Sequence, residues 1–77
     1  MKVIHLGKWG KWGPQDPQTM KDLEKVVQAV EKYGEVRVSF DYEGRTRHEG
    51  AARSMAAMLP NYKTEIGYNY HFVVRKP

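Results

Sequence analysis

Apolar and polar positions alternate in recognisable ways along almost the whole chain. Residues 2–6, Lys-Val-Ile-His-Leu, form a short apolar run of strand length. Met20, Leu23, Val26, Val27 and Val30 then recur at helical spacing, with Lys21, Glu24, Lys25 and Glu31 on the opposite side. Asp16 is placed to cap this helix and Pro17 suits its first turn, while Thr19 followed by Asp22 offers a competing start. Gly34 is expected to end it in the left-handed conformation.

Val36, Val38 and Phe40 alternate with Arg37, Ser39 and Asp41, the period of a half-buried strand. The residues beyond read as its hairpin partner. A loop of Tyr42, Glu43 and a left-handed Gly44 pairs Asp41 with Arg45 and Arg37 with Glu49, leaving Thr46 and His48 to face inward. Residues 50–60 predict a short second helix with Ala51, Met55, Met58 and Leu59 inside and Pro60 beyond its end. Residues 65–77 alternate again, with Ile66, Tyr68, Tyr70, Phe72 and Val74 on one face of a long strand. The element order is then βαββαβ. With right-handed crossovers it predicts an α+β fold, a ferredoxin-like plait. Its antiparallel sheet has the order 4-1-3-2, both helices lie on one face, and residues 1–77 form a single domain. An unrelated α+β arrangement of the same elements stays open.

Residues 6–14, Leu-Gly-Lys-Trp-Gly-Lys-Trp-Gly-Pro, break every one of these periods. Both tryptophans lie here, each preceded by a lysine, and Gly7, Gly10 and Gly13 are spaced by three. In a plait this loop meets the tip at residues 43–45 and the link at residues 60–63 at one end of the sheet. Lys8, Trp9, Lys11, Trp12, Arg45, Arg47, Tyr62 and Lys63 are therefore the candidate binding residues. The indoles can stack on unpaired bases while the lysines hold phosphates, or they can anchor a protein interface. Alternatively one of them lids a small core, so that one tryptophan is buried and the other exposed.

Composition adjusts this picture in three ways. The formal charge of +4 and pI near 9.5 favour acidic partners, nucleic acid slightly ahead of a partner protein. The absence of cysteine removes disulfides and thiolate metal sites. Neither a membrane-length apolar run nor a signal-peptide core occurs, so a soluble cytoplasmic chain is expected.

Dedicated chemistry is not apparent. The spacing of the glycines is neither GxGxxG nor a P-loop, and a KH-type GxxG would join two helices. Residues 44–50 do not match the aromatic strand motif of RNA-recognition motifs, and the first loop lacks the arginine that acylphosphatases use for phosphate. His5 and His71 make a poor metal pair without a third ligand, and no Ser-His-Asp pattern arises. The expectation is a non-enzymatic protein with no cofactor or metal that binds nucleic acid through the loop end. The alternative is a small protein-binding regulator or inhibitor using the same loop or the last strand's edge. A homodimer through the edge of residues 66–75 belongs to that second possibility.

Overall fold

The computed structural model describes residues 1–9, 17–67 and 69–77. The expectations placed on Asp16, Lys11, Trp12, Gly10, Gly13, Pro14 and Tyr68 lie outside the described residues. The elements are β1 (Lys2–Leu6), α1 (Pro17–Tyr33), β2 (Glu35–Phe40), α2 (Arg45–Ala57), β3 (Lys63–Gly67) and β4 (His71–Arg75). They form an α+β fold with one four-stranded sheet and two helices.

The sheet order is β1-β2-β4-β3, with β1 and β2 parallel and β4 antiparallel to both of its neighbours. This mixed sheet replaces the antiparallel 4-1-3-2 arrangement, and the element order runs βαβαββ. Two local features explain the change. The segment after Gly44 alternates as a strand would, but His48, Ala51, Ala52 and Met55 also fall at i, i+3, i+4 and i+7, and helix α2 buries all of them. Gly50, which looks like a boundary, sits mid-helix on the solvent side, where an added Cβ would meet nothing within 4 Å. The expected pairs Asp41–Arg45 and Arg37–Glu49 therefore do not exist as strand neighbours.

The long last strand is instead a hairpin. Asn69 and Tyr70 take φ of 61° and 64°, turning the chain between Gly67 and His71. Because the loop has an odd number of residues, Ile66 and Phe72 pair and remain on the same face, as the alternation requires. Strand β4 is consequently interior. Residues 66–75 as a whole are not an edge; the edges belong to β1 and β3.

Helix α1 begins at Pro17 and ends where Gly34, at φ 85°, turns left-handed while its N–H still reaches the Val30 carbonyl at 2.8 Å. Its buried face is rotated from the expected one. Thr19, Asp22, Val26 and Val30 are buried, Leu23 and Val27 are half-buried, and Met20 is 59% exposed. Gln18 Nε2 donates to the Asp22 carboxylate at 2.9 Å, which makes that burial tolerable.

Helix α1 packs on β1 and β2, and α2 on β2 and β3. Both contribute to one core with Leu6, Val36, Val38, Phe40, Phe72 and Val74. The other sheet face carries Val3, His5, Arg37 and Ser39, and Arg75 bridges Glu35 and Glu65 at 3.2 and 2.8 Å above a fully buried Val73. Among the described residues, no helix is long and apolar enough to cross a membrane.

The burial pattern separates two methionines that the sequence pattern treats alike. Met55→Ala is expected to cost about 2–5 kcal/mol in urea unfolding, and Met20→Ala within about 0.5 kcal/mol. Equal losses would contradict the observed faces of the helices.

Candidate functional site

Strands β1 and β2 both run toward what we term the upper end of the sheet. There the chain leaves β1 through Gly7–Trp9, leaves β2 through Asp41–Gly44, and enters α2 at Arg45. The β3–β4 turn closes the same end, because β3 lies parallel to β2. Lys8, Trp9, Arg45 and Arg47 are therefore brought together as the sequence leads one to expect. Tyr62 and Lys63 are not, since α2 carries the chain to the opposite end before β3 begins. Tyr62 there donates its hydroxyl to Glu31 at 2.8 Å, and Lys63 opens the edge strand β3. This hydrogen bond lowers the Glu31 carboxyl below its ordinary pKa, with Lys76 acting in the same direction, and raises that of the Tyr62 phenol.

Trp9 is an inward residue, only 3% exposed, with its ring 6.3 Å from Phe40. Its carbonyl accepts the Tyr42 hydroxyl, and the Asp41 N–H donates to the Gly7 carbonyl at 3.0 Å. These two bonds strap the segment after β1 onto the end of β2. A small domain has little core, and an aromatic closes its end more effectively than any aliphatic residue. Trp9 is thus removed from any stacking role, and its Nε1 is buried with no hydrogen-bond partner among the described residues. The buried half of the expected split between the tryptophans is Trp9; Trp12 lies outside the described residues.

What faces outward at this end is charged. Lys8, Arg45 and Arg47 are exposed. Lys8 and Arg47 line a pocket of about 380 Å³ with Asp41, Tyr42 and Glu43, so the pocket itself balances two cations against two carboxylates. The first turn of α2 contains no acidic residue, and Gly44 supplies no side-chain cap. The positive end of the helix dipole therefore lies beside two arginines. Such an arrangement opposes helix stability and favours an anion.

His48 and Tyr70 also belong to this end and complete an aromatic cluster around Phe40. The His48 ring meets Phe40 at 5.2 Å and Tyr70 at 4.9 Å, both edge to face. His48 was expected to face inward, and it does so from a helix. Tyr70 was placed in a strand, and the signal for its turn is Asn69, which tolerates left-handed φ, following closely on Gly67.

The two remaining histidines do not approach each other. Strand β2 separates β1 from β4, His5 Nδ1 lies 2.9 Å from Ser39 Oγ, and His71 lies 3.8 Å from Glu65. Among the described residues no group of three or more His, Asp or Glu side chains is arranged to hold a metal ion.

Trp9→Ala is expected to destabilise the fold by about 3–5 kcal/mol, as removal of a packed indole does. Tyr42→Phe removes only the strap to the Trp9 carbonyl and is expected to cost about 1 kcal/mol. Chemical denaturation checks both; a neutral Trp9→Ala would show that the indole is not part of the core. No protein-family model matches the chain, and no curated protein or solved structure matches it.

Proposed function

We propose that the protein binds nucleic acid at the upper end of the sheet, by contacts to the phosphate backbone. The observation that carries this reading is the α2 N-terminus, where Arg45 and Arg47 occupy an acid-free first turn and Arg47 shares a pocket with Lys8. A cation at the positive end of a helix opposes the fold, by about 0.3–1 kcal/mol. A phosphate placed there reverses that sign by accepting from the helix N–H groups and guanidinium groups together.

The disposition of acids supports the same reading. Glu31, Glu35 and Glu65 are engaged at or near the other end of the sheet, with Lys76 at 3.3 Å and with Arg75. Lys8 and Arg47 make no ion pair among the described residues, although Asp41 and Glu43 line the same pocket and offset part of their attraction for a polyanion. Lys11 and Trp12 follow Trp9 in the sequence, and in this reading Trp12 stacks on a base. Binding of this kind needs no catalytic group, cofactor or metal, and we infer a non-enzymatic role.

One observation favours a second reading. Val3 on the edge strand β1 and Met1 just before it are more than half exposed, and half-exposed Tyr33 lies against Lys2 of the same strand. A protein partner, including a second copy, can use that edge, and a regulator or inhibitor working through β1 would depend on these apolar residues.

Titration with short single- and double-stranded oligonucleotides, followed by tryptophan fluorescence, separates the two readings. For the first, affinity falls steeply with salt, and Lys8→Ala with Arg47→Ala reduces the log–log salt slope by roughly 2. Salt-insensitive binding, or a slope unchanged in that double variant, contradicts it. Loss of a partner protein on Val3→Asp, with oligonucleotides inert, supports the second.

A further inference from the structure

His48 is the one histidine that the fold buries, at 1% exposure, whereas His5 is exposed and His71 half-buried. Its Nε2 accepts the Phe40 N–H at 3.3 Å. That amide has no strand partner. The ladder between β2 and β4 ends at Arg37 and Val73, and the next N–H, that of Asp41, points to Gly7 on the β1 side. Successive N–H groups of an extended strand point in opposite directions, so Phe40 directs its donor toward β4, where the ladder has stopped. The imidazole continues that ladder with a side-chain acceptor.

Accepting at Nε2 requires the neutral ring, with its proton on Nδ1. The same ring is set between Phe40 and Tyr70. Tyr70 and Asn69 both hold left-handed φ, a conformation disfavoured for a tyrosine, so the turn needs a tertiary contact to keep it in place.

We propose that His48 is a proton-operated latch, which in its neutral form ties the end of β2 and the β3–β4 turn to α2, and on protonation releases both. Protonation places an N–H on Nε2 against the Phe40 N–H, donor facing donor, and puts a charge among aromatic rings. The groups that act on the ring come from each element around it. Burial is the larger influence and, with Arg37 of β2, holds the His48 pKa below its ordinary value; Glu49 on α2 pulls the other way. A histidine with a depressed folded pKa contributes stability fully above its unfolded value near 6.5, and that contribution is lost as pH falls through the folded value. The latch therefore opens on the acid side of neutrality. This inference does not depend on what the upper end binds.

The test is amide exchange and NMR titration on the full chain between about pH 7.5 and about pH 5. Protection at the Phe40 amide is expected to fall by about tenfold or more, with the Tyr70 ring signals moving at the same midpoint as the His48 ring. Val26 and Val30 in α1 should keep their protection, which distinguishes local release from global unfolding. His48→Gln offers a carbonyl that accepts the same N–H without titrating, so it should abolish the response, while His5→Gln should retain it. The same response in His48→Gln overturns the proposal. If His48→Gln fails to fold, the wild-type midpoints decide: His48 titrating without a coincident change at Phe40 and Tyr70 overturns it equally.

Discussion

Phe40 is the contact on which the arrangement of the upper end depends. Its ring lies 6.3 Å from Trp9, 6.4 Å from Tyr42, 5.2 Å from His48 and 6.2 Å from Phe72. These neighbours come from the segment after β1, the segment after β2, helix α2 and strand β4, so one residue gathers four parts of the chain. A chain of 77 residues buries only about 60% of the surface its unfolded form exposes, and cannot leave the end of such a sheet open. Aromatic side chains fill that end with large area and few rotatable bonds. The backbone follows: the Tyr42 hydroxyl and the Asp41 N–H hold the β1 exit, and His48 holds the β2 exit.

That closure determines what the surface has left to offer. Trp9, Phe40 and His48 turn inward, and the outward groups at the same end are Lys8, Arg45, Arg47, Asp41 and Glu43. At the opposite end, carboxylates and cations are matched through Glu31 with Lys76 and through Arg75 with Glu35 and Glu65. The domain is therefore polarised, with its paired charge at one end and an acid-free helix N-terminus at the other. A phosphate backbone answers that polarity without demanding a deep cavity or a base-stacking strand face.

Much of the fold was legible from periodicity. The first helix with its Pro17 start and Gly34 stop, the strand of Val36, Val38 and Phe40, and the left-handed Gly44 all follow from residue type and spacing. The segment at residues 45–49 was not, because Arg-Thr-Arg-His-Glu satisfies a period of two as well as a period of 3.6. Only the pairing of Ala51 and Ala52 with His48, three and four residues earlier, resolves that ambiguity. The turn between Gly67 and His71 hides for a related reason, since an odd-length loop leaves the alternation of Ile66 and Phe72 intact. Both differences move a connection, and they account for the fate of the candidate site. Lys8, Trp9, Arg45 and Arg47 meet because they follow β1 and β2, whereas Tyr62 and Lys63 leave with the far end of α2. Trp9 shows a further limit: beside a lysine and between glycines, its sequence context is that of an exposed residue, and only the need to close the core around Phe40 turns it inward.

The central claim is that the upper end, and no other surface, receives a polyanion. Backbone amide shifts recorded during titration of the labelled protein with a short oligonucleotide test it most directly. The account predicts that Gly7, Lys8 and residues 44–47 move first and furthest, with Lys63 and Lys76 unmoved. Shifts centred on β3 or on the edge strand β1, with the N-terminus of α2 silent, would contradict it.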